Sequence, residues 1–225
     1  MIGAPRVHHR VADSTNQRAR ELAARGAPHG TLVTAGEQTA GRGRQGRSWV
    51  APAGSAVLMS LVVRELDDRF PLLPLVAAVA VAEACESLAP VACRIKWPND
   101  VWIEGRKVAG ILVEGRPAEG WAVLGIGVNV RADALPAELR SIATAVDADV
   151  EPALSAVLDS LARWLGRDGD DVLAAWRERD ALRGERVRWA EGSGVAAGID
   201  DSGSLLVETD AGLVTLGAGE VHLLR

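Results

Sequence analysis

The chain has 225 residues, of which 48% are hydrophobic and 24% charged, proportions typical of a soluble globular protein. Its net charge of −5 argues against wholesale binding to nucleic acid, which usually requires a basic face. No segment reaches the roughly 18 uninterrupted apolar residues of a membrane span and no secretory signal is present, so we expect a cytoplasmic protein in which Cys85 and Cys93 are reduced and buried.

The first part of the chain predicts helices and strands separated by one irregular loop. A helix is expected within residues 13–26, because Asp13 to Thr15 form a start signal and Gly26 a stop signal. Residues 31–38 and 56–64 are strand-like, whereas the segment between them is too rich in glycine and arginine for either element. The Ala/Val-rich residues 74–88 predict a helix buried in the core.

The central part of the chain predicts more strands and then helices. Residues 92–97, 100–105, 107–115 and 121–130 are strand candidates, and Glu104-Gly105 suits a tight hairpin turn. Helices are expected at about 136–142, 152–166 and 170–180, the second with Pro152 in its first turn. The pattern predicts an α+β domain over residues 1–182, with a mixed, largely antiparallel sheet flanked by helices.

The last segment has a different character. From Gly184 onward, five short strands follow one another, joined by turns of Gly, Asp and Ser. So many strands in so short a segment predict a small SH3-like β-barrel over residues 183–225.

The residues between the two strand candidates of the first part form the most distinctive loop. Gly41, Gly43 and Gly46 let the backbone lie close to a ligand, while Arg42, Arg44 and Arg47 supply forked donors for phosphate or carboxylate. Trp49 can stack on a base or cover a ligand. We expect this loop, residues 41–49, to bind an anion that orders it. A solvated linker or an RNA-binding patch is the alternative from the residues alone.

A second candidate group lies at the end of a predicted strand. Trp97-Pro98 favours extended structure and then a turn, which would hold Lys96, Asn99 and Asp100 at one junction. The lysine suits a phosphate and Asp100 suits Mg²⁺. An ordinary Asn-Asp turn beside a salt bridge is the alternative.

Two further segments place polar side chains in apolar strands. Lys107 begins the apolar run Val108 to Val113, so its stem should be buried and its ammonium directed into a cleft, with Gly110 leaving room for a ligand. Asn129 ends an apolar strand and must find hydrogen-bond partners, in the protein or in a ligand. An edge-strand lysine and a satisfied structural asparagine are the alternatives.

A compositional bias supports these candidates. Only two of the 25 basic residues are lysines, Lys96 and Lys107, and asparagine occurs only at positions 16, 99 and 129. Under a bias toward arginine, lysine persists where a compact ammonium cannot be replaced by a guanidinium.

Taken in order, these segments resemble the biotin protein ligase family. The family's GRGRxGRxW loop is present at 41–49, its KWPND segment at 96–100, its RK[LV]AGIL segment at 106–112 and its G-[IA]-G-x-N element at 125–129. A Ser-Thr-Asn signature stands at 14–16, followed by the family's glutamine at position 38. No single element is specific, but the ordered set is, and both lysines and all three asparagines fall within it.

The resemblance implies an enzyme that activates biotin with ATP and passes it to a lysine of a biotin carboxyl carrier domain. It implies a catalytic fold related to the lipoate ligases and class II aminoacyl-tRNA synthetases. The residues it assigns to biotin are Ser14, Thr15, Asn16, Gln38, Gly41, Arg42, Gly43, Arg44, Lys107 and Gly110. Those it assigns to ATP or the adenylate are Arg44, Arg47, Trp49, Lys96, Asn99, Asp100 and Asn129. Arg44, Lys96 and Lys107 are the expected catalytic cations, and Asp100 is the expected contact to Mg²⁺.

Competing hypotheses remain at this point. A lipoate or octanoate ligase or transferase of the same fold is the nearest. Some family members carry an N-terminal DNA-binding domain, and because this chain starts shortly before Ser14 we expect a short form without repressor activity. A nucleic-acid-binding module is a third. We expect a monomer or homodimer that binds neither nucleic acid nor membranes.

Overall fold

A seven-stranded sheet forms the larger part of the molecule in the computed structural model, which describes residues 1–64, 66, 70–217 and 219–224. Its strands are β1 (Arg6–His9), β2 (Leu32–Ala35), β3 (Ala56–Arg64), β4 (Cys93–Lys96), β5 (Asp100–Ile103), β6 (Arg106–Arg116) and β7 (Trp121–Asn129). The spatial order is β1-β2-β3-β7-β6-β5-β4. β1 runs parallel to β2 and the other neighbours are antiparallel, as the sequence predicts.

Four helices flank this sheet: α1 (Thr15–Ala24), α2 (Leu73–Leu88), α3 (Val150–Trp164) and α4 (Gly169–Glu178). α2 packs against α3, α4 and the sheet, and its residues are buried along most of its length. Among the described residues, the stretch Phe70–Leu88 alone has the length and hydropathy of a membrane span, and most of it is buried. The prediction of a core helix is therefore confirmed.

The two faces of the sheet are covered unequally, and this positions the site. Side chains of β3 and β7 alternate between the faces: Met59 and Leu124 join the core beneath α2 and α3, whereas Val62 and Val123 pack under α1. α1 is short and covers only one end of its face. Beyond that end, the same face carries Ser60 and several glycines instead of large apolar side chains, which leaves space for a ligand.

Both cysteines lie inside the core, as predicted. Cys85 on α2 and Cys93 on β4 are free thiols buried from solvent. The hydrogen bond to Cys93 and the burial of the group raise the pKa of the Cys85 thiol. A thiol held protonated in this way is a poor nucleophile.

The C-terminal strands form a second, five-stranded antiparallel sheet. They are β8 (Arg186–Trp189), β9 (Gly192–Ile199), β10 (Leu205–Thr209), β11 (Gly212–Leu216) and β12 (His222–Leu223), in the order β11-β10-β9-β8-β12. All five predicted strands are present, although the end of the last one, Arg225, lies outside the described residues. Residues 179–181 precede this sheet and extend the edge of the large one beside β4. Ile95 N–H donates to Arg179 O at 2.7 Å, and Ala181 N–H donates to Ile95 O at 2.9 Å.

Two elements differ from the sequence prediction. β1 was not predicted, because its four residues, Arg-Val-His-His, are mostly polar and pair as an edge strand along one side only. The helix predicted at 136–142 is wrong: only a 3₁₀ turn at Ala137–Leu139 forms. The chain then runs beside β6, where Lys107 N–H donates to Ile142 O and Thr144 N–H donates to Lys107 O, both at 2.9 Å, so this backbone is extended.

Candidate active site

A cavity of about 340 Å³ opens on the sheet face that α1 leaves uncovered. β3, β6 and β7 form its floor, and the start of α1 and the loop 41–49 form its walls. The residues expected at the site that line it are Ser14, Thr15, Asn16, Gln38, Arg42, Gly43, Arg44, Arg47, Trp49, Asn99, Asp100, Lys107, Gly110 and Asn129. Residues far apart in the chain are thus brought to one concave surface.

Gly41 and Lys96 are not among the residues that line this cavity. Gly41 has a structural reason to be glycine, because a Cβ there would collide with the carbonyl oxygen of Trp49. Lys96 Nζ lies 5.4 Å from the centre of the Trp102 ring. Burial lowers the pKa of Lys96, against the attraction of Asp100 and Glu220.

One end of the cavity is lined by neutral polar groups. Gln38 Oε1 accepts from the backbone N–H of Thr15 at 2.7 Å and from its hydroxyl at 3.1 Å. Ser60 Oγ lies 2.8 Å from Thr15 Oγ1 and 2.6 Å from Asn16 Oδ1. Asn16 Nδ2 donates to Glu114 Oε2 at 2.9 Å. This end of the cavity therefore suits a compact polar head group rather than an apolar one.

The loop 41–49 forms a small closed hairpin over the cavity. Arg42 and Ser48 pair as an isolated bridge, and Trp49 N–H donates to Gly41 O at 2.9 Å. A 3₁₀ turn at Arg44–Gly46 forms the tip, with Gln45 at a φ of 55°. The loop presents its arginines from a defined backbone, as a lid over the cavity. Its ordering by an anion stays a prediction.

The lid is held by contacts on two sides. Arg44 Nη1 donates to Asn99 Oδ1, and its Nη2 donates to the carbonyl oxygen of Gly219 in the C-terminal sheet domain, both at 3.2 Å. Arg47 Nη1 forms an ion pair with Glu220 at 2.7 Å. Burial lowers the pKa of Arg44, with Asp100 opposing and Arg47 adding to the effect. The C-terminal segment is therefore a structural partner of the lid.

Trp49 lies in a slot made by two glycines. A Cβ at Gly127 would lie 2.5 Å from the Trp49 ring, and one at Gly110 would lie 3.0 Å from both the Trp49 ring and Lys107 Nζ. The Trp49 indole nitrogen is buried and has no hydrogen-bond partner among the described residues. A flat aromatic wall with an unused donor suits a nucleotide base.

Lys107 and Asp100 form an ion pair inside the cavity. Lys107 Nζ donates to Asp100 Oδ1 at 2.6 Å and lies 5.6 Å from the centre of the Trp49 ring. Both side chains are mostly buried. The pair places one cation beside the aromatic wall, where an anionic group of a ligand would meet it.

The donor set allows only a limited role for a metal ion. Within the described ranges, no group of three or more His, Cys, Asp or Glu side chains converges as a metal site would. Among the residues that the structure describes, Asp100 is the one carboxylate in the cavity lining, and it already pairs with Lys107. Mg²⁺ is commonly held by one or two carboxylates together with substrate phosphates. The residues thus fit an ion carried in by a nucleotide.

Several residues that line the cavity or support its lining were not identified from the sequence. Ser60 was read only as part of a strand, and Glu114 only as the end of an apolar segment. Their polarity inside buried strands was the available signal, as it was for Asn129. Leu135, Leu139 and Ile142 also line the cavity, because residues 131–144 turn back over it. The wrongly predicted helix hid this contribution.

Two family profiles match the chain. The Biotin/lipoate A/B protein ligase family matches residues 8–131, and the Biotin protein ligase C terminal domain matches residues 184–224. The lid and all the cavity-lining residues up to Asn129 lie in the first of these ranges, and Gly219 and Glu220, which contact the lid, lie in the second.

Individual proteins are similar to this chain over nearly its whole length. The biotin--[acetyl-CoA-carboxylase] ligase of Paracoccus denitrificans is 38% identical over 233 residues, which cover 93% of this chain and 96% of that protein. The bifunctional ligase/repressor of Bacillus subtilis is 36% identical over 99% of this chain and 75% of its own. Among solved structures, the biotin protein ligase of Aquifex aeolicus in complex with biotin and ATP has a TM-score of 0.86 and 29% identity, covering 99% of each chain.

Proposed function

Because this chain belongs to the biotin/lipoate A/B protein ligase family, we propose that it is a biotin protein ligase. It activates biotin with ATP to biotinyl-AMP and transfers the biotinyl group to a lysine of an acceptor protein. The observation that carries the proposal is a single cavity that joins a neutral polar end to a cationic end beneath an arginine lid. Biotin and ATP need such an arrangement, since their reacting groups are both anionic.

The polar end is assigned to the biotin head group. Its cyclic urea offers N–H donors and a carbonyl acceptor, which match the polar groups of Ser14, Thr15 and Gln38, with Asn16 in the same wall. This match favours biotin over lipoate, whose dithiolane ring has neither an N–H nor a carbonyl. The valeryl chain would then run over Gly110 toward Lys107, which places the carboxylate beside the cations.

In the first step, a carboxylate oxygen of biotin attacks the α-phosphorus of ATP, and pyrophosphate leaves. Positive side chains are needed because two anions approach each other and charge develops on the phosphoryl oxygens. Arg44, Arg47 and Lys107 line the cavity and are our candidates for this work. Lys96 is not among the residues that line the cavity and would act on the phosphates after a shift of its side chain.

The adenine ring is assigned to the wall formed by Trp49, with Asn129 and Asn99 close by. Stacking on the indole would fix the nucleotide while the buried indole N–H finds an acceptor. Mg²⁺ would come with the triphosphate, neutralise part of its charge and contact Asp100.

In the second step, the ε-amine of the acceptor lysine attacks the acyl carbon of biotinyl-AMP, and AMP leaves as the acyl–phosphate bond breaks. The adenylate is sensitive to water, so the closed lid protects it until the acceptor docks. Neither cysteine is needed for a covalent intermediate. We propose a biotin carboxyl carrier domain of a carboxylase in the cytoplasm as the acceptor.

The test of the first step is exchange of labelled pyrophosphate into ATP, measured with biotin, with lipoate, with octanoate and without any acid. We expect exchange with biotin and background rates with the other three. Exchange that depends on lipoate or octanoate but not on biotin would assign the chain to the other branch of the family.

A further inference from the structure

The head-group end of the cavity rests on a buried chain of hydrogen bonds that starts at Glu114. Glu114 on β6 is ion-paired with Arg20 at 3.1 Å and with Arg42 at 3.4 Å. Its second oxygen, Oε2, receives the amide of Asn16 at 2.9 Å. Asn16 and Ser60 are almost completely buried, so water does not complete their hydrogen bonds.

The direction of this chain follows from which groups can donate. A carboxylate only accepts, and the carbonyl oxygen of Leu112, 3.4 Å from the same Asn16 nitrogen, also only accepts. The Asn16 amide nitrogen must therefore face Glu114, and its Oδ1 must face Ser60, 2.6 Å away. Ser60 has a single hydroxyl proton, and the acceptor Oδ1 takes it.

Thr15 is then left with a defined polarity. Because the Ser60 proton is committed to Asn16, the Thr15 proton goes either to Gln38 Oε1 at 3.1 Å or to Ser60 Oγ at 2.8 Å. In both cases the proton points into the protein, and the Thr15 oxygen can only accept from a ligand. Gln38 is fixed as well, because its Oε1 accepts the backbone N–H of Thr15 at 2.7 Å and its Nε2 stays a donor.

From this chain we infer that Glu114 and Ser60 are positioning residues that make the head-group end of the cavity specific for a cyclic urea, by holding Thr15 Oγ1 as an acceptor and Gln38 Nε2 as a donor. A urea presents an N–H to the first and its carbonyl to the second. The inference rests on the proposed function and adds the residues that set its specificity. Gly125 is part of the device, since a Cβ there would collide with Asn16 Oδ1.

The decisive variant is Ser60→Ala. It removes the hydroxyl that bridges Thr15 and Asn16, and Ser60 itself does not line the cavity. Asn16 Oδ1 then loses its donor and Thr15 loses one of the two acceptors for its proton. We expect the KM for biotin in pyrophosphate exchange to rise about tenfold, with the KM for ATP unchanged. Dethiobiotin keeps the urea but lacks the sulfur ring, so its KM should rise by the same factor in this variant.

A double variant distinguishes a positioning role of Ser60 from a general loosening of the fold, because only the positioning role predicts non-additive effects on the KM for biotin. Thr15→Val removes the acceptor itself, so Ser60→Ala should cost little more in that background, because both act through one oxygen. Glu114→Gln also tests the chain, since a neutral amide permits Asn16 to turn around; it should raise the KM for biotin. Arg20→Gln is its matched control, as it removes an ion pair of Glu114 while leaving the bond to Asn16, and it should keep the wild-type KM.

The outcomes of this experiment are distinct. A folded Ser60→Ala protein with the wild-type KM for biotin, or with equal increases in both KM values, overturns the inference while leaving the proposed function intact. Independent, additive effects of Ser60→Ala and Thr15→Val overturn it too. If the wild-type protein shows no pyrophosphate exchange with biotin, the proposed function itself is contradicted. If thermal melting shows that Ser60→Ala does not fold, Glu114→Gln against Arg20→Gln carries the same test.

Discussion

Lys107 is confined by three neighbours of different chemistry. Its ammonium donates to Asp100 at 2.6 Å, lies 5.6 Å from the centre of the Trp49 ring, and is 3.0 Å from where a Cβ on Gly110 would be. A guanidinium is wider and planar, so it could not keep these contacts at the same place. These contacts give a physical reason why a lysine is kept at this position in a chain that otherwise uses arginine.

We therefore expect Lys107→Arg to reduce kcat/KM for biotin adenylation by about 10²-fold, although it conserves the charge. The matched control is Arg106→Lys at the preceding, solvent-accessible position, which forms an ion pair with the exposed Glu104 and should be close to wild type. Pyrophosphate exchange measures both. Wild-type activity in Lys107→Arg would show that the compact ammonium is not required.

The buried position of the Lys96 ammonium lowers the free energy of unfolding of the protein at neutral pH. Burial lowers its pKa below the usual 10.5, so at neutral pH the folded protein carries the cost of a buried charge. As pH rises through the folded pKa toward 10.5, the unfolded chain holds more protons than the folded one, and this cost is relieved.

Lys96→Met should therefore be at least as stable as wild type at pH 7, with an advantage that shrinks as the pH rises through this window. Its KM for ATP should increase by about tenfold if the cation contacts phosphate. Thermal melts across pH and exchange kinetics test both halves. A variant that is destabilised at pH 7 with an unchanged KM for ATP would give Lys96 a structural role instead.

At the scale of elements, the glycines of β6 and β7 form the floor of the site. Gly127 gives space to Trp49 and Gly125 gives space to Asn16, so two positions of one strand serve opposite ends of the cavity. Both have side-chain positions on the face that α1 leaves open. The same alternation that builds the core therefore also builds the ligand slot.

Gly127→Ala should displace the Trp49 ring and raise the KM for ATP by about tenfold or more, because a Cβ would lie 2.5 Å from the indole. Gly166→Ala is the control, since a Cβ there would lie 3.8 Å from Arg163 O, at a cavity separate from the site. Exchange kinetics with tryptophan fluorescence would follow both effects. An unchanged KM for ATP in Gly127→Ala would remove Trp49 from the nucleotide site.

The sequence predicted the elements that have a strong local pattern and missed those that form by pairing with distant parts of the chain. β3 was predicted with its observed bounds because its run of buried residues is unbroken, and the loop 41–49 was identified by its composition. β1 and the extended segment at 142–144 were missed, since both owe their structure to pairing with distant backbone. Ser60 and Glu114 were missed for the same reason, because their importance depends on Asn16, which is remote in the chain.

At the scale of the whole molecule, the lid connects the two sheet domains. Arg44 and Arg47 contact Gly219 and Glu220, which immediately precede β12. The segment that we propose retains the adenylate is therefore held partly by the C-terminal sheet. The proposed boundary near residue 182 separates two units that meet at the active site.

Glu220→Gln should weaken the hold on Arg47 and increase release of the adenylate, seen as labelling of bystander lysines on an unrelated protein. The ion pair is partly exposed, so we expect a change of a few fold, with Arg44→Gly, which loses both Arg44 contacts, setting the upper limit. Glu208→Gln, exposed on β10 of the same domain, is the control. Equal bystander labelling in Glu220→Gln and wild type would remove the C-terminal domain from adenylate retention.

The central claim is the complete reaction, transfer of biotin to one acceptor lysine. The direct measurement is the intact mass of a biotin carboxyl carrier domain after incubation with the protein, ATP and biotin. We predict the addition of one biotinyl group per carrier at a single lysine, strictly dependent on ATP, and no addition when lipoate replaces biotin. A carrier that stays unmodified with biotin, or that is acylated only with lipoate, would contradict the account.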